Sequence, residues 1–325
     1  MRAVVCEGAG GVEVMSVGEI PDPEPAVDEV VIDVAAAGVN RADLLQRQGF
    51  YPPPPGAPQT IGMECSGVVS AVGAEVTDWK IGDEVCALLA GGGYAAKVAV
   101  PASQVMPVPA GVDLVSAAAL PEATATVWSN LFMTSHLKPG ETLLVHGGSS
   151  GIGTMAIQLA VAHGVRVLCT VGTKDKMEVC LRLGADIAIN YREAEWANVV
   201  REATGKAGAD VILDIIGAKY LEDNVKSLAF GGRLVVIGMQ GGTKGTLDLG
   251  RLLTRRASVT GTALRSRSVV EKGEILAEVA GHVWPLVEAK KVHPIVHQVM
   301  PLTEVRTAHE ILEQSSHVGK VLLTP

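Results

Sequence analysis

The stretch from residue 143 to 159, LLVHGGSSGIGTMAIQL, constrains the fold more than any other part of the chain. Leu143 to Val145 form a short apolar run of the kind a buried parallel strand shows. From Gly151 onward the apolar residues Ile152, Met155, Ala156, Leu159 and Ala160 recur at helical spacing. The glycines between these segments permit a sharp turn and a close approach to a pyrophosphate, whose charge meets the free amides and positive dipole end of the helix. A glycine-rich turn alone also suits an ordinary strand-to-helix loop, so its surroundings decide.

Five further apolar runs follow, VRVLCTV (165 to 171), IAINY (187 to 191), VILDIIG (211 to 217), RLVVIGM (233 to 239) and SVTGTAL (258 to 264). They alternate with the helix-like segments KDKMEVCLRLG, EAEWANVVREATG, AKYLEDNVKSLAFGG and LDLGRLL. Six strands separated by helices describe an α/β doubly wound parallel sheet, with a dinucleotide over the carboxyl ends of the strands. An NAD site carries an acidic residue about 20 residues beyond the turn. Here the second strand ends on Gly172, followed by Thr173, Lys174, Asp175 and Lys176. That pattern leaves room and positive charge for a 2′-phosphate and favours NADP. The same residues also suit a plain helix start, with Thr173 as the cap and Asp175 on the dipole.

At 325 residues the chain exceeds the size at which one core stops growing, so two domains are expected. No apolar run reaches membrane-spanning length, and MRAVVCEGAGG lacks the design of a signal peptide, which makes the cytoplasm the default address. Five cysteines without close pairing point to reduced thiols. A net charge of −8 disfavours nucleic acid or an anionic membrane as partner. The first 120 residues are β-rich. EVVIDVAAAGV sets Val30, Ile32 and Val34 on one face, and CSGVVSAVG, DEVCALL and AAKVAV are further short strands. After residue 265 come a long helical segment (VVEKGEILAEVAGHVWPLVEAKK), a strand VHPIVHQVM, a helix TEVRTAHEILEQ and a strand KVLLTP. The expected division is residues 1–122 with 265–325 in one domain and 123–264 in the inserted dinucleotide domain.

The runs AAAGVNRADLLQRQGFYPPPPGAPQTIGMECSGVVSAVG, WKIGDEVCALLAGGGYAAKVAVP and AAALPEATATVW resemble the medium-chain dehydrogenase/reductase superfamily. Together with GGSSGIGTMAIQLA, INYRE, LRSR and VGKVLL they are similar to its zinc-independent quinone oxidoreductases, most of all to the subgroup of the tumour-suppressor-induced homologue. The resemblance implies a GroES-like β-barrel domain joined to a Rossmann domain, NADPH in the cleft between them, and a homodimer joined through the edge strand SVTGTAL. Zinc-dependent relatives place a cysteine and a His-Glu pair around a catalytic metal. This chain has Asn40 near the first position and Met63-Glu64 at the second, and no C-x-x-C pair, so no metal is expected. His293 and His297 are spaced as on a helical metal site, but Pro294, Ile295 and Val296 make that segment a strand. The glycine turn also fits the short-chain dehydrogenases, yet none of Tyr51, Tyr94, Tyr191 and Tyr220 has a lysine four residues later, and that reading fails.

Carried over residue by residue, the resemblance implies Asn40 and Tyr51 near the nicotinamide as the catalytic pair, with Thr126 at its carboxamide. Ser150, Gly151 and Ile152 would meet the pyrophosphate. Gly172, Thr173, Lys176 and Tyr191 would surround the adenosine ribose and its 2′-phosphate, and Gly238, Met239 and Leu264 would border the nicotinamide. Plainer roles exist for several: Asn40 and Asp43 fixing their own loop, Thr126 capping a helix, Tyr191 as a half-buried aromatic. With neither a metal nor a positioned acid, an alkoxide from an ordinary ketone has no stabiliser. A quinone spreads the added charge into a phenolate-like product, and phenols have a pKa of about 10 against about 15.7 for water. The expected reaction is therefore NADPH-dependent quinone reduction. Reduction of an enone or enal double bond, with Tyr51 as proton donor, is the enzymatic alternative, and a crystallin-like structural or RNA-binding role the non-enzymatic one.

Overall fold

The computed structural model describes residues 1–325, which divide into two compact units, Met1–Ala125 with Leu264–Pro325 and Thr126–Ala263. The first unit opens with the antiparallel pair β1 (Arg2–Cys6) and β2 (Met15–Glu19). Its main sheet draws on β3 (Glu29–Val39), β4 (Glu64–Val72), β5 (Glu84–Leu88), β6 (Lys97–Pro101) and β7 (Val105–Pro107). Two strands near the chain end complete it. The helices α1 (Arg41–Arg47) and α2 (Leu114–Ala117) interrupt this half, and α3 (Pro121–Val127) begins in it and ends in the second unit.

The second unit contains β8 (Thr142–His146), α4 (Gly151–Ala162), β9 (Arg166–Val171), α5 (Lys174–Arg182), β10 (Ile187–Asn190), α6 (Trp196–Ala203), β11 (Ala209–Asp214), α7 (Leu221–Ser227), β12 (Leu228–Val236), α8 (Leu249–Arg255) and β13 (Ser258–Gly261). Its six strands run parallel in the order β10-β9-β8-β11-β12-β13, the doubly wound sheet expected from the alternating pattern. The order reverses beside β8, so the glycine turn after that strand opens at the switch point where such sheets bind ligands. Leu144, Leu168, Ile212 and Leu234 from four neighbouring strands form the core with Trp196, Val200 and Val225 from α6 and α7.

Back in the first unit, α9 (Val269–His282), α10 (Trp284–Glu288), β14 (Val296–Pro301), α11 (Val305–Glu313) and β15 (Lys320–Thr324) follow. The sheet order is β14-β15-β3-β4-β5-β7, with β6 paired to β3. The eleven-residue β3 is its spine, pairing antiparallel with β15, β4 and β6. Val30, Ile32, Val34, Val69, Val85, Val321 and Leu323 share one core with residues of α11.

Several boundaries differ from expectation, each for a local reason. Residues 229–232, expected to end a helix, begin β12, where Gly231 at φ +72° and a register shift bend the strand. The long helix after residue 268 is two helices, since Pro285 lacks the N–H to continue α9 and instead starts α10. The strand expected from Val292 begins at Val296, and SVTGTAL pairs only over Ser258–Gly261. On the face of β3 opposite Val30, Ile32 and Val34, Val31, Ala37 and Val39 are buried as well, while Asp33 is exposed. Trp128–Thr134 forms a π-helical turn that no periodicity announced.

Candidate functional site

In the second unit the glycine turn is built as a cradle. Ser150 caps α4, its hydroxyl accepting the Gly153 amide at 3.0 Å. The first-turn amides of Gly151 and Ile152 have no intrahelical acceptor, as in any helix start, and are available to an anion. A side chain at Gly153 would put its Cβ 2.2 Å from the Gly147 carbonyl oxygen, so close packing of turn on helix demands glycine there.

At the end of β9, Gly172 lies under the Tyr191 hydroxyl, which would stand 2.7 Å from a Cβ at that position, with Arg192 Nε at 3.4 Å. Thr173 caps α5 through a 3.4 Å bond from the Lys176 amide, so the capping role is realised by its side chain. Lys176 is half-buried, and burial followed by repulsion from Arg192 holds its ammonium below the usual lysine range. Two mutually repelling cations, an exposed tyrosine and a glycine thus meet at one strand end, an arrangement suited to a phosphate. Arg192 was missed by the sequence reading; its signal was a basic residue directly after Tyr191 at a strand end.

Gly238 and Met239 follow β12 and meet the loop after β11: a Cβ on Gly238 would stand 2.8 Å from the Ile215 carbonyl oxygen. That loop is fixed by Asp214, which accepts the amides of Ile216 at 2.6 Å and Gly217 at 3.0 Å. Asn224 Nδ2 donates to the same carboxylate at 3.1 Å, and its Oδ1 lies 2.7 Å from His146 Nε2. Burial pushes Asp214 up to about 6 against its backbone bonds, and pushes His146 down to about 4. Thr126 is buried in α3, its carbonyl accepting Asn130 Nδ2 at 2.7 Å.

The first unit holds an internal ion cluster. Lys320 Nζ donates to Asn40 Oδ1 and to Glu64 Oε1, both at 2.6 Å, and lies 3.6 Å from Glu122. Asn40 Nδ2 donates to the same Glu64 oxygen at 2.9 Å, and the Glu122 amide donates to the other at 2.9 Å. An ammonium only donates and a carboxylate only accepts, so the Asn40 carboxamide has one orientation. Burial would depress the lysine, but Glu64 and Glu122 outweigh it and hold Lys320 above its usual value. A Cβ at Gly38 would fall 2.2 Å from Glu64 Oε1, so the carboxylate needs that glycine. The loop-fixing role expected of Asn40 and Asp43 is split: the Asp43 carboxylate takes the Asn40 amide at 2.7 Å, while the Asn40 side chain turns to the cluster.

These are the positions the resemblance aligns with a catalytic zinc. The donors do not suit one, since the carboxylate and carboxamide oxygens already hold an ammonium, which repels a divalent cation, and Met63 offers a thioether. No group of three His, Cys, Asp or Glu side chains is arranged to hold a metal. Tyr51 is half-buried beneath the Arg265 guanidinium, 5.4 Å from its ring centre. Burial raises its hydroxyl above the usual tyrosine range, with Arg265 opposing and Glu122 adding to the shift. Leu264 precedes that arginine. Lys320 and Arg265 were quoted in the sequence only as parts of motifs; the signal for Lys320 was a lone charge heading an apolar strand.

Comparison with known proteins matches residues 26–110 to the alcohol dehydrogenase GroES-like domain and residues 151–279 to the zinc-binding dehydrogenase domain. The quinone oxidoreductase of Rattus norvegicus is 32% identical over 91% of this chain and 94% of its own. The crystal structure of Escherichia coli quinone oxidoreductase complexed with NADPH superposes with a TM-score of 0.89 at 31% identity, over 100% of both chains. The CurK enoyl reductase does so at 0.88 and 26% identity, over 99% of this chain and 98% of its own.

Proposed function

The chain belongs to the medium-chain dehydrogenase/reductase superfamily and is a homologue of its quinone oxidoreductases, and from that premise we propose that it oxidises NADPH with a flat, electron-poor quinone and without a metal. The observation that carries this reading is the Lys320–Glu64–Asn40 cluster. It fills the electrophile's position with groups already paired to one another, so the acceptor has to spread its own charge. Reducing equivalents come from the cofactor. Residues 123–264 hold it: the Gly151 and Ile152 amides with Ser150 at the pyrophosphate, and Gly172, Thr173, Lys176, Tyr191 and Arg192 at the 2′-phosphate. Gly238, Met239, Thr126 and Leu264 border the nicotinamide. Residues 1–122 with 265–325 orient the acceptor through Asn40 and Tyr51, and exclude water around it. Solvent supplies the protons, and catalysis is mainly proximity.

The protein works as a homodimer in the cytoplasm on this reading. β13 ends the six-stranded sheet with one edge unpaired, and Leu249 and Leu253 of the preceding helix α8 are exposed, which supports pairing there. No helix is long and apolar enough to cross a membrane. Similarity to an enoyl reductase favours a second reading, reduction of an enone double bond with the Tyr51 hydroxyl as acid. One variant on two substrates decides. The expected result is that the parent prefers quinones by orders of magnitude and Tyr51→Phe changes their turnover only modestly. A parent that prefers enones, with that activity abolished by Tyr51→Phe, overturns the quinone assignment.

A further inference from the structure

Inside the second unit runs a chain of four fully buried polar side chains: Thr170 near the end of β9, His146 closing β8, Asn224 on α7 and Asp214 closing β11. Thr170 Oγ1 lies 3.0 Å from His146 Nδ1, His146 Nε2 lies 2.7 Å from Asn224 Oδ1, and Asn224 Nδ2 lies 3.1 Å from Asp214 Oδ2. The donors run in one direction. A carboxylate only accepts, so Asn224 turns its Nδ2 to Asp214 and its Oδ1 to His146. The imidazole must then donate from Nε2, and being neutral it leaves Nδ1 to accept the Thr170 hydroxyl. Burial keeps that ring neutral down to about pH 4. Trp196 and Tyr220 stand edge-on to it, with ring centres 4.7 and 4.9 Å away.

Each end of the chain holds a cofactor loop. The Thr170 carbonyl accepts the Gly147 and Gly148 amides at 3.1 and 3.0 Å and so fixes the glycine turn. Asp214 fixes the loop Ile215–Gly217, which in turn holds the segment after Met239: the Ile215 carbonyl accepts the Gln240 amide at 3.2 Å and the Ile216 carbonyl the Gly241 amide at 2.7 Å. Turn and loop also touch, since a Cβ on Gly147 would stand 2.5 Å from Ile215 Cδ1. Apolar side chains would fill this interior with no polar group to satisfy, whereas a fully paired polar chain specifies a single arrangement. On the cofactor placement inferred for residues 123–264, we propose that Thr170, His146, Asn224 and Asp214 are positioning residues: they tie the loops bordering the nicotinamide to the turn at the pyrophosphate and thereby set where the nicotinamide ring stands.

The test separates the nicotinamide from the rest of the cofactor. NADPH and 2′-phospho-ADP-ribose, which lacks only the nicotinamide ring, are titrated calorimetrically into the parent, Thr170→Val and Asn224→Asp. The ratio of the two affinities cancels the titration of the 2′-phosphate. Thr170→Val is nearly isosteric and loses one hydrogen bond, so its ratio should fall about fivefold at every pH. Asn224→Asp sets a second carboxylate against Asp214. A proton shared by the pair bridges them, and its loss makes them repel, so the ratio should be near-parental at about pH 7 and about tenfold lower at about pH 9, with the fragment bound as in the parent throughout. That range begins above the Asp214 value of about 6 in the parent, and Tyr220 stays protonated across it because burial, then Tyr191, Asp214 and Asp223, raise its phenol. Parental ratios in both variants overturn the proposal, as does a parallel loss of NADPH and fragment, which marks a general loosening of the fold. Nitrogen NMR of the parent should show the His146 ring protonated at Nε2 and bare at Nδ1; the other tautomer breaks the chain, whichever way the variants behave. If the ratios follow expectation and no quinone is turned over, the positioning stands and the quinone reading falls.

Discussion

Glu64 is fully buried and Lys320 nearly so, which makes each the other's principal counter-charge. Removing one strands the other, at a typical cost of about 3–5 kcal/mol. Lys320→Met should therefore lower unfolding stability by about that amount in denaturant titrations, and adding Glu64→Gln should restore part of it instead of adding to the loss. The cluster also sets the expectation for metal: purified protein should carry no stoichiometric zinc by elemental analysis, and full activity should survive prolonged chelation. Behind it, burial pushes Asp43 up to about 7 despite bonds from the Asn40 amide and the Tyr94 hydroxyl, while burial and Arg47 push His309 down to about 3. The two act in opposite senses. Folded Asp43 keeps its proton to about pH 7 where the unfolded chain loses it near 3.9, so its share of stability falls as pH rises from about 4 to 7. Folded His309 stays neutral to about 3, so its share is lost as pH falls below about 6.5. Asp43→Asn should consequently gain stability relative to the parent as pH rises from about 4 to 7. The opposite trend in unfolding curves at the two ends of that range would mean an ionised Asp43 in the folded protein.

Among the elements, the glycine turn separates two kinds of constraint. At Gly153 a methyl group would meet backbone, the Gly147 carbonyl oxygen, which has nowhere to go. At Gly172 it would meet the hydroxyl end of Tyr191, which swings aside. Gly153→Ala should lower the thermal midpoint and abolish measurable NADPH binding, whereas Gly172→Ala should fold with a near-parental midpoint and only weakened NADPH binding, both read by melting curves and fluorescence titration. The turn and the six strands were legible because each is encoded within about 20 adjacent residues by period and glycine placement. Residues 229–232 were misread since AFGG after a helical run looks like a helix ending, and only the pairing of Leu228 and Arg233 with β11 on either side of them carries the strand through. Strands β1, β2 and β7 were missed because their partners, not their own few residues, define them. At the site the same rule holds. Ser150 and Thr173 announce themselves as caps, but Lys320 acquires its role from Asn40, 280 positions away, and Glu64, 256 away.

For the whole molecule, the open sheet edge at β13 carries the assembly prediction. The parent should sediment as a dimer, and Leu253→Glu, on the exposed face of α8, as a monomer with a nearly unchanged melting midpoint; a monomeric parent would overturn the proposed dimer, and a dimer that persists in the variant would place its interface elsewhere. Chain connectivity adds a mechanical property. The Thr262 hydroxyl donates to Asn130 Oδ1, closing the segment where the chain enters the second unit onto the segment where it leaves. Tension carried along the backbone passes across this clasp from residue 130 to 262 and bypasses the six-stranded sheet. Stretched in an optical trap, the protein should give up the first unit while the second stays folded, and yield the second only after the clasp parts. In Thr262→Val, which lacks the hydroxyl, the second unit should yield at lower force.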